Sequence, residues 1–345
     1  MSKQGFEVSL VAQCDEDMMV DGVQIRALSK PKNRKERVTK TIPQLFRLAT
    51  RERADVYHFH DPELIPVGML LKLRGKRVVY DVHEDLPRQV LSKEWIPKSL
   101  RPLVSRVVEW TENFAIQWFD GVVAATDPIS ERFPTLKSIA LRNYPIVQDG
   151  FDYLRHPYRQ RRLVLAYIGS ISRIRGINEM LQAFSALPAD RGARLTLVGR
   201  FSPSGLEEEV KRSPSWQHVE FHGWKTSSET KELLSQSKAG LVCFHPEPNH
   251  IDAQPNKLFE YMQAGLPVIV SDFPRWREFI AQHQCGLVVD PLDPSAVAHA
   301  ITWILDHPEE AEAMGQRGRE AILQAYSWES ESEKLLALYQ RILKP

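Results

Sequence analysis

Cysteine is scarce in this chain: Cys14, Cys243 and Cys285 are all there are among 345 residues. Their spacing matches no metal-binding pattern, and an odd number argues against a secreted disulfide framework. Net charge is nearly absent too. The 45 basic side chains offset 44 acidic ones, a formal charge of +1, so bulk attraction to nucleic acid is not expected. Residues 1–150 hold 23 basic and 20 acidic side chains against 22 and 24 in 151–345, which puts any basic surface in the first half. No apolar run reaches membrane-spanning length and no signal peptide is recognisable. A cytoplasmic protein is the expectation.

What is present describes a globular chain, 43% hydrophobic and 26% charged, too long for one ordinary core and suited to two domains. Short β-branched runs alternate with helical periodicity. In the first half the runs are FEVSLVA (6–12), GVQIRAL (22–28), DVYHFH (55–60), RVVYDVH (77–83), GVVAAT (121–126) and SIALR (138–142). Helices are expected near 41–53, 62–73, 101–118 and 128–133. The second half repeats the pattern with LVLAYIG (163–169), RLTLVG (194–199), HVEFHG (218–223), AGLVCF (239–244), PVIVS (267–271) and GLVVD (286–290). Such alternation predicts an α/β fold of two doubly wound parallel sheets. The predicted boundaries are a first domain over 1–142 joined by a last helix over 329–345, a linker over 143–162, and a second domain over 163–328. Two such domains are expected to face each other across a cleft, with ligands beyond the carboxyl ends of the strands.

Chemistry-bearing residues follow those strands in the second half. LVLAYIG runs into GSISRIRG and then INEMLQAF. Gly169 and Gly176 permit a tight strand-to-helix turn, Arg173 and Arg175 supply cations, and the helix start offers free N–H groups, a combination that suits a diphosphate. In QPNKLFEYMQAGLPVIVSD (254–272), Pro255 opens a helix with Lys257 in its first turn and Glu260 less than a turn later, and Gly265 ends it. Two cationic helix mouths can hold a diphosphate without Mg²⁺. Glu260 can accept hydrogen bonds from ribose hydroxyls, and the turns Gly199-Arg200 and Gly223-Trp224 can frame a base.

GSISRIRGINEMLQAF, FHGW, QPNKLFEYMQAGLPVIVSDFP and CGLVVDPLDP resemble the family 4 retaining glycosyltransferases of the GT-B fold. HFHDPELIP, VVYDVHEDLP and LRNYP resemble the bacterial surface-polysaccharide branch of that family. The resemblance spans nearly the whole chain and implies transfer of a sugar from a nucleoside-diphosphate sugar to a glycan acceptor, with anomeric retention and no metal or other cofactor. The family's two acids, with seven residues between them, fall on Asp252 and Glu260. Glu260 would bind the ribose and Asp252, in place of the usual Glu, the donor sugar. Arg175 stands where the family's phosphate-loop Lys is found, Ser170 replaces an expected Arg, and Ala253 to Asn256 replaces a Gly-rich turn. Catalytic roles are implied for His83, Arg175, Lys257 and Asp252. Donor contacts are implied for Gly169, Arg173, Gly199, Gly223, Asn256, Leu258 and Glu260. His83 would lie near the donor sugar.

Rival readings begin in the first half. His58 and His60 share a strand face, and with His83 they suggest a metal-dependent hydrolase with activated water. Such an enzyme needs further His or Asp ligands on later strands, and no set stands out. Asp15-Glu16-Asp17 has the form of a metal-diphosphate motif but reads more simply as solvated, while Glu84 and Asp85 are candidates to touch an acceptor. The family's usual first strand and loop have no counterpart before FEVSLVA, so a gap in the first sheet is expected, and an inactive relative that binds nucleotide sugar or a protein partner is a third reading.

The acceptor is expected to be lipid-linked and reached by peripheral binding at an anionic membrane. Residues 30–40 carry Lys30, Lys32, Arg34, Lys35, Arg37 and Lys40 against Glu36 alone, and Trp95, Trp110 and Trp118 follow amid Lys98, Arg101 and Arg106. Basic side chains near amphipathic aromatics suit such a surface.

Overall fold

The computed structural model describes residues 1–93, 96–147, 152, 153 and 155–344. Its thirteen strands are β1 (Val8–Gln13), β2 (Met18–Val20), β3 (Val23–Leu28), β4 (Val56–Phe59), β5 (Arg77–Val82), β6 (Gly121–Ala124), β7 (Ser138–Ala140), β8 (Val164–Ile168), β9 (Arg194–Val198), β10 (Val219–Gly223), β11 (Ala239–Val242), β12 (Val268–Ser271) and β13 (Gly286–Val289). The chain divides into two compact units, Met1–Arg142 with the residues from Glu331 onward, and Asn143–Ser330.

The second unit holds one parallel sheet in the order β10-β9-β8-β11-β12-β13. Its central strands are buried under helices on both faces: every residue of β8, β11 and β12 is buried. The strand order reverses between β8 and β11, which opens a crevice beyond their carboxyl ends. Residues 143–162, expected as a linker, group with this unit. The reason is aromatic burial: Tyr153 and Tyr158 are buried, and the Tyr158 hydroxyl donates to the Lys238 carbonyl at 2.8 Å.

The first unit contains two separate sheets. One is β1-β3-β2, with β1 parallel and β2 antiparallel to β3; the other is the parallel set β4-β5-β6-β7. The short β2 pairs Val20 with Val23 across a tight turn, which sequence periodicity missed because three exposed residues carry no inward face. No ladder joins β1 to β4 among the described residues. The last helix, Trp328–Leu343, buries Leu335 and Leu338. A side chain at Gly121 would meet Ile342 at 2.9 Å and Leu338 at 3.3 Å, so a bare glycine on β6 lets this helix lie close.

Residues 30–40 are not a loop throughout. A helical turn at Arg34–Glu36 passes through a wide turn, Arg37–Thr41, into the helix Ile42–Glu52. Arg37 pairs with Glu63 at 2.6 Å and Lys40 with Glu36 at 3.3 Å, which leaves Lys32 and Lys35 among the exposed cations there.

Candidate active site

The crevice of the second unit is built from the turns after β8, β9, β10 and β11. Gly169 ends β8 with φ 105°, and its N–H donates to the Val198 carbonyl at 2.9 Å. Gly199 ends β9 with φ 144°, and its N–H donates to the Gly223 carbonyl at 2.8 Å. A Cβ at Gly199 would sit 1.8 Å from the Gly169 carbonyl oxygen, so only glycine allows the two turns to touch. Arg200 lies over the exposed Trp224 ring, 5.7 Å from its centre, at the far end of this row.

Lys257 occupies the middle. It stands in the first turn of the helix Asn256–Gln263, whose N-terminus has no side-chain cap. Apolar neighbours pull it inward: Leu258, Phe259, Tyr261 and Met262 are all buried. Lys257 is 7% exposed, and its Nζ meets no hydrogen-bond acceptor among the described residues. The ammonium instead lies over the Tyr167 ring, 3.6 Å from its centre, and 5.1 Å from that of Phe244. The space beside Gly169 Cα, where a side chain would stand, is 3.5 Å from Nζ. Burial, reinforced by the Arg175 charge, holds its pKa well below the ordinary lysine value.

Arg175 shares this floor. Its guanidinium lies 5.4 Å from the Phe244 ring centre and donates to the Ser170 carbonyl at 3.4 Å. Tyr167 Oη donates to the same carbonyl at 2.7 Å. Glu260, largely buried, has its carboxyl pKa raised by desolvation, against the opposing pull of Lys257 and Lys231. The helix Ile177–Ala186 begins at Gly176, again without a side-chain cap. The crevice thus gathers Lys257, Arg175, Gly169, Gly199 and Gly223, with Asn256, Leu258 and Glu260 on the helix that carries Lys257.

Two expected donor residues make local ion pairs. Arg173 is half-exposed and paired with Glu209, and Asp252 is held by Arg275 at 3.4 Å near the surface. Sequence reading missed Tyr167 and Phe244, the rings beneath Lys257, because apolar residues at strand ends look like ordinary core.

The first-unit histidines converge. His58 Nε2 lies 3.3 Å from Asp81 Oδ2, His60 Nδ1 3.1 Å and His83 Nε2 3.6 Å from the same oxygen. Burial opposes ionisation of Asp81, but hydrogen bonds from His58 and His60 outweigh it, and its carboxyl titrates well below the usual range. The bond to Asp81 raises His60 above the ordinary imidazole value, against the opposing effect of its burial. Asp81 is the ligand type the sequence reading did not find. It lies two residues before His83 and therefore on the same strand face. Asp85 and Glu84 are tied into structure instead: Asp85 pairs with Arg132 and Arg88, each at 3.0 Å, and Glu84 accepts from Gln89. Asp17 accepts from the Ala27 N–H at 2.7 Å and pairs with Arg26 at 3.0 Å, so it too has a structural task.

Comparison with known proteins adds the lineage. Residues 155–321 match the model described as glycosyl transferases group 1, and residues 1–147 match the glycosyl transferase 4-like domain. Glycogen synthase of Mycobacterium tuberculosis is 23% identical over 298 residues, spanning 83% of this chain and 69% of that protein. Among solved structures, sucrose-phosphate synthase from Thermosynechococcus elongatus superimposes with a TM-score of 0.76 at 18% identity, covering 99% of this chain and 90% of its own. Anabaena Alr3699/HepE in complex with UDP-glucose gives 0.70 at 14% identity, covering 93% and 86%. The fold is GT-B.

Proposed function

From the premise that the chain belongs to the GT-B glycosyltransferases, we propose that it transfers a sugar from a nucleoside-diphosphate sugar to a lipid-linked glycan acceptor, with retention at the anomeric carbon. One observation carries the donor reading: a buried lysine without a hydrogen-bond acceptor among the described residues, beside an arginine, at the reversal point of a parallel sheet. A buried ammonium in that state is costly unless an anion completes it. A diphosphate does so, with Arg175 and the uncapped helix amides adding donors. The acceptor oxygen bonds to the anomeric carbon as the bond to the diphosphate oxygen breaks on the same face. The acceptor's proton passes to the departing diphosphate, and Lys257 and Arg175 stabilise the charge left there. UDP-sugars are the first donors to try, since a structural neighbour was solved with UDP-glucose.

The membrane-side reading rests on the helix Arg101–Trp118. Its buried face is Glu112, Ala115 and Ile116, while Leu103, Val107, Trp110, Phe114 and Trp118 form an exposed stripe at three- and four-residue steps. Exposed Lys98 and Arg106 lie near it in sequence. Trp95 falls outside the described residues. An apolar stripe with basic neighbours suits peripheral attachment to an anionic bilayer, where a lipid-linked acceptor resides.

Calorimetric titration with UDP, GDP, ADP and dTDP tests the donor reading. Binding of at least one, weakened tenfold or more in Arg175→Ala, is expected. A folded chain that binds none of the four overturns it.

A further inference from the structure

The geometry points to a binding site for a divalent first-row transition cation of the zinc type, formed by His58, His60 and Asp81 with His83 as a fourth donor. The three principal ligand atoms all lie within 4.8 Å of one another. A tetrahedral ion with bonds of about 2.0–2.1 Å holds its donor atoms about 3.3 Å apart. The distances of 3.3 Å and 3.1 Å from Asp81 Oδ2 to His58 Nε2 and His60 Nδ1 match that edge. His83 Nε2 lies 2.5 Å from His60 Nδ1, sharing a proton with it; for both to bind one tetrahedral ion the pair must part by about 0.8 Å.

The scaffold holds these donors firmly. His58 lies on β4 and Asp81 on the adjacent β5, in a register that pairs His58 with Val79 and Phe59 with Tyr80. One step further along that register, His60 comes beside Asp81. Sites built on paired strands keep their geometry better than sites on loops. His58 also has an outer partner: its Nδ1 and the Tyr339 hydroxyl share a hydrogen bond of 2.5 Å. With that nitrogen engaged, Nε2 is left to face Asp81, the arrangement in which a metal-binding imidazole is oriented from behind. Asp81 is buried at the base, whereas the His60 and His83 side chains are 53% and 43% exposed, so an ion has a route in from solvent.

Donor chemistry selects the class. Imidazole nitrogens with a single carboxylate favour zinc and its first-row neighbours, while magnesium and calcium prefer all-oxygen shells. Because Tyr339 belongs to the last helix, the bound ion would fasten β4, β5 and that helix at one point.

The test uses the tag-free chain, stripped with EDTA and dialysed, then titrated with ZnCl₂ by calorimetry and with CoCl₂ by visible absorption. One equivalent of Zn²⁺ should bind, and Co²⁺ should give the intense absorption of a tetrahedral site. His60→Ala, at an exposed position that does not threaten folding, should weaken Zn²⁺ binding tenfold or more, as should Asp81→Asn. Tyr339→Phe should weaken it about tenfold while leaving the stoichiometry at one. Zn²⁺ affinity unchanged in a His58→Ala/His60→Ala double variant that is folded by circular dichroism would overturn the proposal. So would preference for Mg²⁺ over Zn²⁺, or the absence of a stoichiometric site.

Discussion

Lys257 Nζ stands over the ring of Tyr167 at 3.6 Å from its centre, and that face is the ammonium's nearest compensation for leaving water. A ring offsets only part of the desolvation. Lys257→Met is therefore expected to keep or raise the melting temperature while weakening nucleoside-diphosphate binding by about 1.5–3 kcal/mol, the worth of a charged hydrogen bond. Calorimetry and thermal unfolding on the same preparation check both halves. The folded-state pKa of Lys257 is depressed, so the unfolded chain binds more protons in the window between the two values. Stability should rise with pH there, and Lys257→Met should remove that rise.

Donor binding should take up a proton at alkaline pH. A diphosphate beside Lys257 restores the charged form, moving its pKa back up, so in the interval between the free and bound values each binding event protonates the amine. Titrations in two buffers of different ionisation enthalpy should give different apparent binding enthalpies. Equal enthalpies across the alkaline range would mean that Lys257 is charged before the ligand arrives.

Gly199→Ala is expected to be among the most disruptive single-methyl changes in the second unit. The added carbon would fall 1.8 Å from the Gly169 carbonyl, and φ 144° strains any L side chain. A loss of about 2–4 kcal/mol in stability is expected, measured by urea unfolding, since the β8 and β9 turns must separate.

Vesicle co-sedimentation should detect the helix Arg101–Trp118. Binding to phosphatidylglycerol vesicles should fall on Trp110→Ser/Trp118→Ser, and salt should weaken it further. Changing Lys32, Arg34 and Lys35 to Ser should reduce it by roughly 1 kcal/mol per lysine or arginine near the surface. Indifference to anionic and neutral vesicles alike would leave a soluble acceptor.

Thiol titration should distinguish one cysteine from two. Burial pushes the Cys243 and Cys285 thiols up to about 12, so under native conditions only the partly exposed Cys14 should react quickly with a disulfide reagent. Denaturant should release the other two.

Periodicity carried most of the strands, since β8, β11 and β12 are continuous apolar runs with no other reading; the order in which they pair was not read from it. Lys257 and Arg175 were legible because a cation at a helix mouth breaks the pattern of packing. Asp81 was not, because an acid inside RVVYDVH looks like a solvated position until the pleat puts it between three histidines. Asp252, named by motif spacing, pairs with Arg275, and Arg173, read as a loop cation, pairs with Glu209. The surface stripe of Trp110 and Phe114 was visible only as composition, because which face of a helix is covered depends on what packs on it.

The grouping of the residues from Glu331 onward with Met1–Arg142 sets an order on how the molecule can be made. A ribosome delivers residues 143–330 as one uninterrupted stretch, so the second unit has all of its chain before the first unit does. The first unit waits through that interval with Gly121 uncovered and His58 lacking its tyrosine partner. Its completion is thus a late event in synthesis, and a chain ended at Ser330 should keep a second half that resists protease while its first half is cut.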